Sequence, residues 1–397
     1  MTTTQSPTAK AELGDSAFAI DDHSDQTFGE AARGYWRRVR GGDMGSLPAI
    51  LGLVVLFVVF GLANDRFLSA LNLANLVTQA GSICVLAMGL IFVLLLGDID
   101  LSAGVAGGVS ACVMALTMTG RGWPWWAAVL AGVLCGALIG LAIGLLRAKL
   151  GIPSFVVTLA FFLGLQGVTL KLIGEGGSVR VDDPVIRGIT IGNLPVAVGW
   201  GCAVVVVAAF AGLELVKHRG KVTAGLHHAP LGVVVARIVG VAAVTLGVTF
   251  LLSLNRSVNP RIEIRGIPYV LPLVVVLLIG LTFVLTRTRY GRHLYAVGGS
   301  AEAARRAGID VDRIRISVFV ICSALAAVSG IIAASYGGKG RAADAVIGGV
   351  VVATIANGLG LLNQSSYINF LVTGGVLLLA ASVDAISRRR RSAAGLG

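Results

Sequence analysis

The sequence is short of charge, and this excludes a soluble globular domain. Charged residues make up only 13% of its 397 residues, whereas hydrophobic residues make up 56%, and the mean hydropathy is +0.87. A soluble fold cannot bury so large an apolar fraction, so the composition predicts a polytopic membrane protein.

Cysteine patterns and phosphate-binding motifs are also missing. The five cysteines all lie inside apolar runs, without a CxxC pair and without a histidine at ligand spacing, so neither a disulfide framework nor a metal site or other cofactor is predicted. No Gly-x-x-x-x-Gly-Lys-Ser/Thr loop occurs, and Gly337-Gly338-Lys339-Gly340 lacks both the spacing and the hydroxyl residue. The chain is therefore not expected to hydrolyse ATP.

The amino end lacks the apolar core of a cleaved signal peptide, so the first spanning helix is expected to direct membrane entry. Residues 1–40 are predicted to form a disordered cytoplasmic tail, residues 41–391 the membrane domain, and residues 392–397 a carboxyl-terminal tail.

Basic residues outnumber acidic ones, and the net charge is +12. They lie in the short connections between apolar runs, where they set topology and contact anionic lipid headgroups, so no nucleic acid partner is predicted. Fifty-four glycines lie largely in the apolar segments, which predicts closely packed helices, since no hydrophobic force drives helix against helix in lipid.

Apolar runs long enough to cross the bilayer, which takes about 20 helical residues, predict an all-α bundle with about 10–12 spans. The residues between 76–96 and 101–119 are so few that these two runs could form one broken element instead of two helices. The runs are 47–63, 76–96, 101–119, 125–146, 152–174, 194–215, 229–254, 268–286, 313–335, 343–363 and 367–387.

Orientation follows from the arginines and lysines. Four arginines at positions 33–40 place the amino end in the cytoplasm, and alternation then places residues 147–149 and 287–315 inside as well. The alternation fails at the carboxyl end, where eleven crossings would put the arginine run 388–391 outside. Either one run does not cross or a crossing is missing.

Two carboxylates and a hydroxyl lie between apolar runs, at Asp98, Asp100 and Ser102 of the GDIDLSAG stretch. An ionised group there is costly unless it faces protein or water, so these residues are candidates for a translocation path. They could equally cap the amino end of the following helix, which the helix dipole favours.

Other polar and aromatic groups within or at the ends of spans are further candidates for the path. Sugars bind through hydrogen bonds combined with aromatic faces, which makes Phe161, Gln166 and Asn357 candidates. The alternative is that such polar side chains hold helix to helix.

The loop 287–315 carries a small-residue pair, Ala303-Ala304, between Glu302 and Gly308, framed by arginines. This pattern predicts a short helix that inserts into a cleft on a cytoplasmic partner. The alternative is a solvated connector with a short amphipathic helix, which is common in membrane proteins.

Four landmarks in order resemble the permease subunits of bacterial ABC importers for monosaccharides, of the ribose and xylose type. They are GDIDLSAG (97–104), GIPSFVVTL (151–159), the loop 288–311, and NGLGLL with SSYINFLVTGGVLLLAASVD near the carboxyl end. The loop and the region 175–260 look most like the xylose branch.

The resemblance implies a permease of the inner membrane that imports a monosaccharide such as xylose or a similar pentose. It implies a cytoplasmic ATP-binding subunit, an extracytoplasmic sugar-binding protein and a second permease copy as partners. Glu302, Ala303, Ala304 and Gly308 would then form the coupling helix in the cleft of the ATPase. Residues 335–341 depart from the family pattern, as if a segment of about one crossing were missing, which would explain the failed alternation and could leave the permease inactive.

Two other classes stay open. A secondary transporter driven by ions or protons would need an ionisable relay near mid-bilayer and broken helices in matching halves of the chain. Asp98 and Asp100 could belong to such a relay, but the sequence has no second acidic site in a corresponding position. A membrane enzyme or scaffold is the other class. Such enzymes need paired histidines or carboxylates at the bilayer edge, and the pair His227-His228 has no acidic neighbours.

Overall fold

A computed structural model describes most of the residues between 47 and 335 and a few beyond them. The described residues are 47–173, 179, 181–225, 228–257, 261, 263–335, 357–359, 361, 362 and 372. The predicted tails, the departure after residue 335 and nearly all of the last two predicted spans lie outside this set.

Helices dominate the described chain, and the prediction of an all-α membrane bundle is confirmed. Eight of its helices are long and apolar enough to cross a membrane, and the first, shorter helix is apolar from Ile50 to Ala63. The helices are α1 (Leu47–Ala63), α2 (Ala70–Leu95), α3 (Ala103–Arg121), α4 (Trp125–Lys149), α5 (Ser154–Ile173), α6 (Pro184–Ile191), α7 (Val196–Thr223), α8 (Leu231–Ser253), α9 (Val270–Arg287), α10 (Arg289–Gly299), α11 (Ala301–Arg306) and α12 (Val311–Ser335). Two short strands are β1 (Asn193–Leu194) and β2 (Ile267–Pro268).

The first nine predicted apolar runs each correspond to one observed helix, and most ends agree within about three residues, although α2 starts at Ala70 instead of 76 and α7 ends at Thr223 instead of 215. The runs 76–96 and 101–119 form two separate helices, α2 and α3, and not one broken element. Residues 96–102 between them leave the helical path, because the backbone turns at Gly97 with φ +72°.

The chain divides into two compact units. One contains residues 200–248, which cover most of α7 and α8. Within it Glu214 lies 3.4 Å from Lys217 and 3.8 Å from Arg237, so the carboxylate has cations on both helices. The other unit contains residues 45–199 and 249–386, and it holds the bundle described below.

Helix α12 is the centre of this second unit and packs against α4, α2 and α3. The contact with α4 runs along four glycines spaced four residues apart, which are Gly132, Gly136, Gly140 and Gly144, all buried. A Cβ atom at Gly136 would stand 2.6 Å from the carbonyl oxygen of Ser323, and one at Gly144 would stand 2.8 Å from the Cα atom of Ile316. The missing side chains thus let the two backbones touch, as expected for helices packed in lipid.

At the opposite end from the arginine-rich loop, β1 pairs antiparallel with β2, with Asn193 opposite Pro268 and Leu194 opposite Ile267. The buried Arg256 supports this ribbon, because its Nη2 donates to the Asn193 side chain at 3.0 Å and to the Gly266 carbonyl at 2.9 Å. Burial lowers the pKa of this guanidinium. The ribbon joins two connections that charge alternation assigns to the outside.

Candidate functional site

The loop between α9 and α12 folds into a pair of short helices, α10 and α11. Thr288 starts α10 by accepting a hydrogen bond from the Gly291 amide at 3.2 Å. Its buried face consists of Gly291, Leu294 and Val297, spaced three apart, while Arg292 and Tyr295 are exposed. This helix therefore lies flat on the bundle with its basic face outward.

Helix α11 has a defined cap at each end. Ser300 accepts a hydrogen bond from the Ala303 amide at 3.2 Å. At the other end the Ile309 amide donates to the Ala304 carbonyl and the Gly308 amide to the Arg305 carbonyl, both at 3.0 Å. This is the Schellman pattern, and its left-handed position is Gly308, with φ +82°. A backbone requirement therefore explains the glycine.

The four residues of the predicted coupling patch divide between two faces. Ala304 is buried, whereas Glu302, Ala303 and Gly308 are exposed. Glu302 forms an exposed ion pair with Arg306 one turn later, a kind of pair that contributes little stability. The patch therefore has one anchoring residue and three that a partner can reach.

The buried face of this helical pair belongs to the main core. Leu294, Val297 and Ala304 share one hydrophobic cluster with residues of α2, α3, α4, α5 and α12. Gly298 lies so close to the Leu95 carbonyl at the end of α2 that a side chain there would meet it. Tyr290 adds a hydrogen bond of 2.9 Å to Ser317 on α12, and burial raises the pKa of this tyrosine.

The turn between α2 and α3 lies at the same end of the bundle. Its Gly97 and Asp98 amides donate to the Leu94 and Val93 carbonyls, at 3.0 and 3.3 Å, which closes α2 with a second Schellman turn. The Asp98 carboxylate is 5% exposed, and its Oδ1 accepts a hydrogen bond of 2.9 Å from Nε of Arg147 at the end of α4. Residues far apart in sequence thus form one ion pair at the end that alternation assigns to the cytoplasm.

Asp100 and Ser102 prepare the start of α3. Oδ1 of Asp100 accepts from the Ser102 amide at 2.9 Å and from its hydroxyl at 2.6 Å. Burial raises the pKa of the Asp100 carboxyl, and the two bonds from Ser102 oppose that shift. This geometry places both residues at the amino end of α3, and their role in lining a path stays a prediction.

Two residues that the sequence analysis did not single out fasten this turn to α5. The Ser154 hydroxyl accepts a hydrogen bond from the Ile99 amide at 3.2 Å. The Thr158 hydroxyl has its nearest acceptor in the Ser154 carbonyl at 2.9 Å and shares its proton with the Ile99 carbonyl at 3.3 Å. Both hydroxyl residues are buried. Their spacing of four puts them on one helix face, which is the only signal that could have found them.

The remaining path candidates lie elsewhere. Phe161 is half-buried on α5 among core residues, and Gln166 is exposed on the same helix. Asn357 accepts a hydrogen bond of 2.8 Å from Asn72 at the start of α2, about 35 Å along that helix from the Asp98 turn. The six candidates therefore do not form a single site.

No metal-binding group of three or more histidines, cysteines or carboxylates occurs among the described residues. The helical pair lies in one connected block with the Asp98 turn and the starts of α5 and α12, and the exposed faces of α10 and α11 are on its outer surface.

Comparison with known proteins gives consistent findings. The family model described as "branched-chain amino acid transport system / permease component" matches residues 72–339. The xylose transport system permease protein XylH of Escherichia coli K12 is 30% identical over 370 residues, covering 86% of this chain and 92% of the relative. The corresponding protein of Haemophilus influenzae is 28% identical, with 86% and 96% covered, and the ribose import permease protein RbsC of Bacillus subtilis is 28% identical, with 89% and 95% covered. No solved structure matches the chain.

Proposed function

The chain belongs to this permease family, among its ribose- and xylose-type members, and we propose that it is the membrane subunit of an ATP-driven importer of a monosaccharide. The family description mentions amino acids, whereas the relatives that match most of this chain are described as xylose and ribose permeases. Sugar is therefore the better supported cargo, and xylose or a similar pentose is the proposed one.

A permease of this family is a multi-pass protein of the inner membrane that works with an ATP-binding protein and a substrate-binding protein. It is a transport component and not itself an enzyme. The missing phosphate loop supports the proposal that all the energy comes from the cytoplasmic partner.

The observation that carries the proposal is the division of α11 into an anchored and an exposed face. Ala304 ties it to the core while Glu302 and Ala303 face outward, and the capped ends keep the helix short and defined. We infer that these residues with Gly308 form the coupling helix. When the ATP-binding subunits close on this helix, the push reaches α12 and the Asp98 turn through the shared core.

The proposed path lies along α5. Gln166 is exposed within this 20-residue helix, and an amide that faces acyl chains costs several kcal/mol if it finds no partner. A second copy of the chain or water in the path would satisfy the amide, and Gly164 and Gly167 beside it leave open space for close approach. This supports a homodimer with Phe161 and Gln166 near the path.

The two alternatives differ in support. An ion-coupled transporter is disfavoured, because Asp98 and Asp100 are engaged at helix ends and not at mid-span. An internally shortened permease keeps some support. The alignment with the Escherichia coli xylose permease has 370 positions, but this chain fills them with only 86% of its 397 residues, so it has gaps of about 30 positions. One helical span takes about 20 residues.

The test is co-purification of the ATP-binding subunit with the native chain and with two matched variants. Glu302→Lys and Glu263→Lys each invert an exposed glutamate that pairs with a nearby arginine, the first on α11 and the second at the opposite end. The subunit should co-purify with the native chain and with Glu263→Lys, and at least tenfold less with Glu302→Lys. Equal recovery with both variants would reject α11 as the coupling helix, and no recovery with the native chain would reject the importer.

A further inference from the structure

Helices α4 and α12 run side by side where they reach the cytoplasmic end. Lys149 Nζ lies 2.9 Å from Asp312 Oδ2, and a Cβ atom at Gly144 would stand 2.8 Å from the Cα atom of Ile316. Between these two contacts α4 carries Arg147, and α12 carries Arg313 and Arg315. Arg313 is exposed, whereas Arg315 is half-buried, so the guanidinium groups of Arg147 and Arg315 share one region.

Arg147 bonds to the carboxylate of Asp98 in this region, and only one of the two carboxylate oxygens has a hydrogen-bond partner among the described residues. Oδ1 accepts the bond from Arg147, whereas Oδ2 is buried and has no hydrogen-bond partner among the described residues. A buried carboxylate oxygen without a donor is costly, because it has given up its bonds to water.

Arg315 is the complementary case. Its Nε is buried without a hydrogen-bond partner among the described residues, and the ion pairs found there do not include it. Its charge is repelled by Arg147 and attracted by Asp98 and Asp312. The Asp98 carboxylate therefore attracts two guanidinium groups, but among the described residues it is hydrogen-bonded only to that of Arg147, and its second oxygen is available to Arg315.

We propose that Arg315 is a positioning residue of the transport cycle, which closes onto the free oxygen of Asp98 in the other conformational state of the permease. This rests on the proposed function, since the movement comes from the coupling helix. Arg315 lies one turn into α12, and only Ala307 to Asp310 separate α12 from α11. A shift of α11 therefore carries Arg315 directly.

The exchange suits a two-state element. In each state Asp98 holds a charge-assisted bond to a guanidinium, so neither state leaves the buried carboxylate unpaired. In the present state Asp98 bonds to Arg147 on α4. In the other state Asp98 would bond to Arg315 on α12, either together with Arg147 or in its place. Packed helices respond to small displacements by such discrete repacking.

The first experiment measures transport and ATP hydrolysis by the assembled complex in lipid nanodiscs or vesicles. Arg315→Gln should still co-purify with the ATP-binding subunit, yet transport per ATP hydrolysed should fall at least tenfold. Arg315→Lys should recover part of it, because a lysine can still reach a carboxylate. Arg313→Gln is the matched control, since Arg313 is exposed and pairs locally with Asp310.

A second experiment follows the exchange itself. Asp98→Cys combined with Arg315→Cys should cross-link at least fivefold faster when a non-hydrolysable ATP analogue holds the complex closed, and Asp98→Cys with Arg313→Cys should not change. Native coupling in Arg315→Gln, or a cross-linking rate independent of nucleotide, would overturn the inference while the complex still forms. Failure of the native chain to bind any ATP-binding subunit would overturn the proposed function, and this inference with it.

Discussion

The packing of α3 against α12 allows a sharp prediction, because α3 carries two neighbouring glycines in opposite situations. A Cβ atom at Gly107 would meet the carbonyl of Ala326 on α12, with the Ala326 carbon itself only 3.1 Å away, whereas one at Gly108 would meet nothing within 4 Å. Replacing each glycine with alanine therefore makes the same chemical change with and without a steric conflict.

The magnitudes follow from two opposing terms. Alanine is a better helix former than glycine by about 1 kcal/mol, which applies at both positions. At Gly107 the added methyl group must push α3 away from the α12 backbone, and overpacking of this kind costs about 1–3 kcal/mol. Gly107→Ala should therefore be destabilised by up to about 2 kcal/mol, whereas Gly108→Ala should be neutral or stabilised by up to about 1 kcal/mol.

The assay is the half-life of the detergent-solubilised protein at a fixed temperature, scored as the monodisperse fraction that remains on size exclusion. A rate is the appropriate quantity, because a large membrane protein unfolds irreversibly. Gly107→Ala should lose its folded fraction several times faster than the native chain, and Gly108→Ala should not. Equal half-lives for the two variants would show that α3 and α12 are not in backbone contact and would refute the close packing of these two helices.

Three further predictions concern the cytoplasmic end and topology. Burial raises the folded-state pKa of Asp100, so the stability that its protonated carboxyl contributes is present below the unfolded pKa of about 4 and is lost as the pH rises through the folded pKa. An asparagine stays neutral at every pH, and Asp100→Asn should therefore have a longer half-life than the native chain at about pH 8 and an equal one near pH 4. Ser154→Ala removes the acceptor of the partly buried Ile99 amide and should cost about 1 kcal/mol, read as a shorter half-life. A reporter fused after Gly397 should read cytoplasmic, because the arginine run nearby is a strong inside signal.

Each of these outcomes can fail in a way that identifies the faulty step. An Asp100→Asn variant equally stable at every pH would mean that the carboxyl is not desolvated. An unchanged half-life of Ser154→Ala would mean that another acceptor or water satisfies the amide. An external reporter would show that the number of crossings, and not the terminal charge, orients the carboxyl end.

Much of the fold was predictable because a membrane span is a local property. A run of about 20 apolar residues must be helical in lipid, whatever its neighbours are. The short helix that carries the proposed coupling residues was also predictable, since Gly308 marks a helix end and Ser300 a helix start. Which of its residues faces the core depends on tertiary packing, and the burial of Ala304 could not be seen in the sequence.

The contacts of the Asp98 turn could not be predicted, because they join residues with no local relation. Arg147 bonds Asp98 from 49 positions away, and Ser154 and Thr158 reach Ile99 from 55 and 59 positions away. The two carboxylates were therefore interpreted as a translocation path or a helix cap, and the attachment of Asp98 to α4 was missed. Charge alternation did predict correctly that these segments share one end of the bundle.

The face that a membrane helix turns toward its neighbours needs a different signal from that of a soluble helix. In water the buried face is the apolar one, but here both faces are apolar, so hydrophobic periodicity carries little information. What distinguishes the faces of α4 is residue size, since its four buried glycines recur every four residues from Gly132 to Gly144 and all lie within its packed surface. A period of four in small residues is thus the sequence signal that orients α4. The same close packing makes α12 the helix that contacts this stripe, Gly107 on α3 and α2 together, so the proposed displacement of α11 would be passed on through α12 to all three helices.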